Sequence, residues 1–166
     1  MLLALDVHYK ESYAKSVGVI FNATENVMKS SIVEIIDDVE DYVPGQFYRR
    51  ELACLLKVVE KVDLTTIDAI LVDGHVYVDN DRNLGLGGYL YNALDGQIPI
   101  IGVAKRFFHN TEVVSKEIYK GQSKNPLYVS SIGMDLQDAM HVISQLHGEY
   151  RMPTLLKALD AITKEK

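Results

Sequence analysis

Residues 67–73 read Ile-Asp-Ala-Ile-Leu-Val-Asp, an almost continuous apolar run that ends on an acid. Such a run predicts a strand that is covered on both faces, as in sheets flanked by helices. The opening Met1-Leu2-Leu3-Ala4-Leu5-Asp6 has the same form, and a third apolar run, residues 98–104, is followed by Lys105. Because an unpaired carboxylate beside a core is costly, acids at the ends of buried strands indicate a site that needs them.

The rest of the chain surrounds these runs with further strands and helices. Strand patterns occupy residues 2–7, 14–21, 27–36, 67–73 and 98–104, and residues 127–131 allow another short strand. Apolar positions recur at helical spacing in residues 47–62, 83–94, 136–147 and 153–164. A hairpin region followed by βαβ units predicts an α/β fold with a mixed five-stranded sheet flanked by helices. Without repeats or a linker-like segment, residues 1–166 are expected to form a single domain.

Composition excludes several classes of protein. With 48% hydrophobic and 24% charged residues, the chain is globular and not disordered or fibrous. No apolar run approaches the ~20 residues of a membrane span, and Asp6 comes too early for a signal peptide. We therefore expect a cytoplasmic protein with no membrane partner, and a monomer by default. The net charge of −6 counts against broad binding of nucleic acid through a basic surface.

Three acids from separate segments form the candidate metal site. Asp6 and Asp73 follow apolar runs, and Glu51 heads the helical stretch 47–62. Hard cations such as Mg²⁺ and Mn²⁺ prefer carboxylate oxygens, and paired ions of this kind promote phosphodiester hydrolysis. Asp79 lies six residues after Asp73 and is a candidate fourth carboxylate. Since the chain contains 23 acids, the pattern alone indicates only some divalent-metal site.

Lys105, His75 and the segment Tyr42-Val43-Pro44-Gly45 are further candidates. Lys105 either contacts a scissile phosphate or extends from the strand end into solvent. His75, after Asp73-Gly74, is a candidate ligand for a metal or a phosphate. Pro44 and Gly45 make a stiff tip, which is either a wedge that enters base stacking or an ordinary loop before a helix; composition alone favours the loop.

An alternative interpretation of the same sequence is a nucleotide-binding α/β domain. It would place a glycine-rich phosphate loop after the first strand. Residues 6–12 contain no glycine, which argues against it.

Several sequence blocks, in the same order along the chain, resemble those of the endonuclease V family. The resemblance is that of a divergent member with a truncated N-terminus. The resemblance runs from about residue 2 to residue 157. Its blocks are Leu5-Asp6-Val7-His8-Tyr9; Tyr42-Val43-Pro44-Gly45 with Arg49 and Glu51; Leu71-Val72-Asp73-Gly74-His75; Leu84-Gly85-Leu86; residues 98–105; residues 126–130; and residues 148–153.

The resemblance implies a ribonuclease H-like fold and cleavage of DNA or RNA near deoxyinosine or inosine. It casts Asp6, Glu51 and Asp73 as ligands of Mg²⁺ or Mn²⁺, and Lys105 as a phosphate contact. It makes Tyr42-Val43-Pro44-Gly45 the strand-separating wedge, and it places backbone near Gly45, Gly74 and Gly85 around the flipped base. The implied cut falls at the second phosphodiester bond 3′ to the lesion and leaves 3′-hydroxyl and 5′-phosphate ends.

Besides the truncated N-terminus, three positions between the matched blocks depart from the family pattern. Asp79 stands where a histidine is usual, Gly88-Tyr89 replaces a Ser-His pair, and Ser131-Ile132-Gly133-Met134 replaces the usual loop before a C-terminal helix. The alternative function is therefore a weak or inactive relative that binds nucleic acid without cutting it. Retention of the three acids and Lys105 favours the nuclease.

Overall fold

The structure, a computed structural model, describes the whole chain except residues 38, 40–43, 45–46 and 166. Its strands are β1 (Leu2–Tyr9), β2 (Ala14–Phe21), β3 (Met28–Ile36), β4 (Ala69–Asp73), β5 (Ile100–Ala104), β6 (Lys116–Ile118) and β7 (Leu127–Ile132). Its helices are α1 (Phe47–Val59), α2 (Leu86–Ala93), α3 (Leu136–Gln145) and α4 (Thr154–Lys164), with a one-turn 3₁₀ helix at Leu64–Thr66. None of the described helices has the length and apolar character needed to cross a bilayer.

Within the described residues, seven strands form one sheet in the order β3-β2-β1-β4-β5-β7-β6. β4 runs parallel to β1 and β5, and the other neighbouring pairs are antiparallel. The expected α/β class and mixed sheet are confirmed, but the expected count of five strands is wrong. The sheet continues past β5 through β7 to β6, whose exposed Lys116 and Glu117 give it no apolar signal. Charged side chains on a short edge strand discourage pairing with other chains, so such strands lack the pattern of buried ones.

Alternating residues of the central strands feed two separate cores. In β1, Leu2 and Ala4 face one core, which α3 and α4 close with Ile143 and Leu159. Leu3 and Leu5 face the other, which α1 and α2 cover. Since successive strand residues point to opposite faces, both sides of the sheet are buried, as the continuous apolar runs predict.

The register of the parallel strands positions the acids. Leu5 of β1 lies opposite Val72 of β4, so the next residues along the two strands are Asp6 and Asp73. Asp73 in turn lies opposite Val103 of β5, two residues before Lys105. The two acids and the lysine therefore meet where β4 and β5 end and where the pairing of β1 with β4 ends, although β1 itself continues to Tyr9 along β2. In α/β sheets, ligands collect at this edge.

A close backbone approach fixes the turn that follows Asp73. A Cβ on Gly102 of β5 would lie 2.6 Å from the Gly74 carbonyl oxygen and 2.7 Å from Ser130 Oγ, so only glycine fits there. The Val76 N–H donates to the Ser130 hydroxyl at 3.0 Å, and Ser130 is fully buried. Strands β5 and β7 thus hold the segment that carries Asp73.

We expect Ser130→Ala to lower the free energy of unfolding by about 1–3 kcal/mol, because the buried Val76 N–H loses its acceptor. The matched control is Ser31→Ala on the exposed β3, which should change it by no more than about 0.5 kcal/mol. Urea denaturation of the two variants measures the difference. Equal losses in both would contradict the role given to Ser130.

Candidate active site

A pocket of about 520 Å³ lies at the carboxyl ends of β1, β4 and β5. Asp6, Asp73 and Lys105 line it from the sheet, and Asp160 of α4 lines it from the opposite side. Glu51 is not among the lining residues and approaches from α1, on the other face of the sheet. The structure thus brings three of the four predicted catalytic residues into one pocket, with Glu51 beside it.

The acids interact strongly with one another. Burial raises the pKa of Asp6 to about 7, and the charge of Asp73 adds to this, while the Val7 N–H that donates to Asp6 Oδ1 at 2.9 Å opposes it. Burial also raises the pKa of Glu51 to about 7, with further contributions from Asp73 and Asp6. Partial burial raises the pKa of Asp73 as well, although the Lys105 ammonium works against it. Three carboxylates in electrostatic contact resist simultaneous ionisation.

The chemistry of this donor set fits a hard divalent cation. Among the described residues, no three His, Cys, Asp or Glu side chains converge closely enough to hold one ion as they stand. Asp6, Glu51 and Asp73 nevertheless supply only carboxylate oxygens, which Mg²⁺ and Mn²⁺ prefer. A divalent cation bound among them would relieve their mutual repulsion.

The structure places Asp160 at the pocket and leaves Asp79 outside its lining. Both Asp79 carboxylate oxygens accept hydrogen bonds from Asn83, at 3.2 Å from its N–H and 2.8 Å from Nδ2. Hydrogen bonding to Asn83 lowers the pKa of Asp79, so this acid is stabilised within its own turn. Asp160, by contrast, raises the pKa values of both Asp6 and Asp73.

Asp160 was not among the site residues predicted from the sequence. Its side chain is 46% exposed, and its Oδ2 accepts from Lys164 Nζ at 2.9 Å, one turn along the same helix. An exposed acid paired with a lysine at this spacing is the usual pattern of a solvated helix face, so the residue pattern does not indicate the pocket.

Arg151, from the connection between α3 and α4, holds the segment that carries Lys105. Its Nη2 donates to the Lys105 carbonyl oxygen, and its Nε donates to the Pro126 carbonyl oxygen at 2.8 Å. The exposed Lys105 side chain lies in the pocket close enough to affect Asp73. Arg151 is therefore a positioning residue that acts through the backbone.

His75 and Gly85, two of the predicted substrate-binding residues, lie in contact. A Cβ on Gly85 would lie 2.5 Å from the His75 carbonyl oxygen, and the Gly85 N–H donates to Val76 at 2.8 Å. Gly74 has a φ of +146° and open space where a Cβ would stand. His75 itself is buried, and its Nε2 lies 2.9 Å from the Arg106 carbonyl oxygen. Burial lowers the pKa of His75, so the ring is neutral and Nε2 donates this bond.

One of the three departures from the family pattern, the pair Gly88-Tyr89, has a packing explanation. A Cβ on Gly88 would lie 2.8 Å from the Val76 carbonyl oxygen, so a larger residue does not fit there. Tyr89 stacks on Tyr48 of α1, with ring centroids 3.6 Å apart. In the predicted wedge Pro44 is exposed, whereas Tyr42, Val43 and Gly45 lie outside the described residues.

Sequence comparison identifies the family. The family model for Endonuclease V matches residues 1–161. The chain belongs to the endonuclease V family. It is similar to the Endonuclease V of Nostoc punctiforme, at 28% identity over 144 residues, which is 75% of this chain and 63% of that protein. The match thus spans less than two thirds of the relative's length.

Solved endonuclease V structures share the fold. The catalytic domain of human Endonuclease V superposes with a TM-score of 0.77 at 20% identity, covering 98% of this chain and 80% of that one. Ciona intestinalis Endonuclease V, in complex with a 24mer DNA containing an inosine followed by a ribo-adenosine, gives a TM-score of 0.77 at 17% identity, covering 98% and 83%. The expected ribonuclease H-like fold and the expected family are both confirmed.

The electrostatics of this endonuclease V site predict how stability depends on pH. Folding raises the pKa of Asp6 from 3.8 to about 7 and that of Glu51 from 4.5 to about 7. Between these limits the folded state binds more protons than the unfolded state, so the free energy of unfolding falls as pH rises from about 4 to 7. Urea denaturation of the protein in EDTA across this range measures the slope.

Glu51→Gln should make that slope shallower. The matched control is Glu60→Gln, an exposed acid one residue beyond the end of α1, which should leave the slope unchanged. Added Mn²⁺ should stabilise the unaltered protein most at the alkaline end, where the carboxylates are ionised. A slope that does not change in Glu51→Gln would contradict the electrostatic account.

Proposed function

We propose that this chain is an Mg²⁺- or Mn²⁺-dependent endonuclease that hydrolyses a phosphodiester bond near inosine or deoxyinosine. The observation that carries the proposal is the grouping of Asp6, Glu51 and Asp73, whose pKa values are all raised, beside the cationic Lys105. Carboxylates without a counterion are costly next to a core. A divalent cation would pair with the three carboxylates, and a phosphate substrate would pair with the cation and with Lys105. Membership of the endonuclease V family supports the same reaction class.

The residues take separate roles in this proposal. Asp6, Glu51, Asp73 and Asp160 would hold the metal, which supplies charge stabilisation and an acidified water when bound. Lys105 contacts a non-bridging oxygen of the scissile phosphate and stabilises the charge that develops there. Water attacks the phosphorus and the bond from phosphorus to O3′ breaks, which leaves a 3′-hydroxyl and a 5′-phosphate.

Recognition of the damaged base is assigned to the neighbouring turn. A base that has left the stack contacts the backbone of Gly74, His75 and Gly85. The wedge that separates the strands is Tyr42-Val43-Pro44-Gly45. A base that is already unpaired is the least costly to bind in such a pocket. The Ciona protein was crystallised with inosine-containing DNA, which supports a nucleic-acid substrate, DNA or RNA, for this chain. We place the protein in the cytoplasm, as a monomer.

Purified protein with Mn²⁺ or Mg²⁺ should nick an end-labelled oligonucleotide that contains one inosine, in DNA or in RNA. Asp73→Asn should slow cleavage at least ~100-fold, because loss of a metal ligand removes several kcal/mol of transition-state stabilisation. Denaturing electrophoresis of the products measures both the rate and the position of the cut. The same oligonucleotide with guanosine in place of inosine is the substrate control.

Absence of metal-dependent cleavage on every substrate would contradict the proposal. Inosine-specific binding without cleavage, unchanged by Asp6→Asn, would favour the alternative of a relative that binds nucleic acid but does not cut it.

Asp160 and Asp79 offer a matched pair of aspartates for the fourth ligand. We expect Asp160→Asn to weaken Mn²⁺ binding at least ~10-fold, because its carboxylate faces the same pocket as Asp6 and Asp73. Asp79→Asn should leave Mn²⁺ affinity unchanged, since Asp79 lies outside the lining of this pocket. Isothermal titration of Mn²⁺ into each variant distinguishes them, and the reverse order would restore Asp79 as the ligand.

A further inference from the structure

The loop that follows Lys105 displays aromatic side chains to solvent. Phe107 is 52% exposed, although it lies only two residues after the proposed phosphate contact. His109 meets the Phe107 ring edge-on at 5.3 Å between centroids, and Tyr128 of β7 meets it at a tilt at 5.7 Å. We call Phe107, His109 and Tyr128 the aromatic patch. Among the described residues, no ring stacks face to face on Phe107.

This loop is held in place by hydrogen bonds at several points. The His75 ring bonds to the Arg106 carbonyl oxygen and stacks on Phe108, with centroids 4.0 Å apart. The Thr111 hydroxyl donates to the Phe108 carbonyl oxygen at 2.6 Å, and the Asn80 N–H donates to the Asn110 carbonyl oxygen at 2.7 Å. The aromatic patch is therefore presented by an anchored backbone, which lowers the entropic cost of binding through it.

We propose that the aromatic patch is a stacking site for an unpaired nucleobase next to the scissile phosphate. This inference rests on the proposed nuclease function and names a further contact to its substrate. Phe107 provides the stacking surface, and His109 and Tyr128 fix its orientation.

The position and charge of the patch favour a nucleobase over other occupants. Two residues span at most ~7 Å of backbone, so a base adjacent to the phosphate at Lys105 is within reach of Phe107. The exposed Lys105 and Arg106 beside the ring favour a polyanion. An aromatic ring flanked by cations is the arrangement with which proteins bind single strands, because every base has a face that stacks.

The test uses Asp73→Asn protein, in which we expect cleavage to be at least ~100-fold slower, and a labelled single-stranded oligonucleotide with one inosine, at fixed salt. Phe107→Ala should raise the dissociation constant about 10-fold, as expected for the loss of one stacked base. Phe107→Leu should raise the dissociation constant by a similar factor, and Phe107→Trp should keep the affinity of the protein with Phe107. Val27→Ala removes a side chain of similar exposure, 58%, at the opposite end of the sheet and should have no effect.

A second readout reports the stacking itself. 2-Aminopurine placed next to the scissile phosphate should lose fluorescence on binding, and Phe107→Ala and Phe107→Leu should abolish that loss. Circular dichroism checks folding, and Phe107→Leu serves if Phe107→Ala fails to fold.

The outcomes separate this proposal from the one on which it rests. If the protein with Asp73 and Phe107 both intact neither binds nor cuts the oligonucleotide, both proposals fail. If it binds and Phe107→Ala binds equally well, the nuclease proposal stands and the stacking site is overturned. Equal binding by Phe107→Leu and the protein with Phe107 would also overturn stacking. So would self-association that depends on Phe107 in sedimentation, since the patch would then bind a second copy of the chain.

Discussion

The repulsion among Asp6, Glu51 and Asp73 is the constraint on which the site depends. Carboxylates stay this close at the margin of a core only where the scaffold prevents them from separating. Here the parallel register of β1 and β4 places Asp6 beside Asp73, and cores on both faces of the sheet fix that register. A one-residue slip of β1 would turn Leu3 and Leu5 toward the wrong core, so the packing that stabilises the fold also maintains the repulsion.

The elements that could be predicted from the sequence are those whose burial produces a recognisable pattern of apolar residues. Strands β1, β4 and β5 were found because both of their faces are covered, which makes the apolar runs continuous. The edge strand β6 was missed, since Lys116 and Glu117 are exposed and show no alternation. Asp6, Asp73 and Lys105 could be placed because a strand end fixes where a side chain emerges. Asp160 could not, because its relation to Asp6 depends on how α4 crosses the sheet.

Departures from the family pattern sharpen the account of substrate binding. Gly88 packs against the Val76 carbonyl oxygen, and Tyr89 stacks on Tyr48, so both changes are accommodated by contacts within this chain. They lie between α1, which carries Glu51, and the turn that carries His75 and Gly85. The packing around the proposed base-binding turn therefore differs from the pattern that the resemblance implies, whereas Asp6, Glu51 and Asp73 agree with it.

An acidic protein must obtain its affinity for nucleic acid locally. With a net charge of −6, this chain gains little from the counterion release that drives nonspecific binding to a broad basic surface. Binding free energy must then come from contacts at the site, namely a cation held by the acids, Lys105 at the phosphate, and base stacking. Stacking is the component that does not depend on charge, and Phe107 is a large apolar side chain exposed two residues after Lys105. Under the proposed function, the acidic surface and the aromatic patch would act together: charge repulsion would disfavour undamaged duplex, and stacking on Phe107 would favour a strand with unpaired bases.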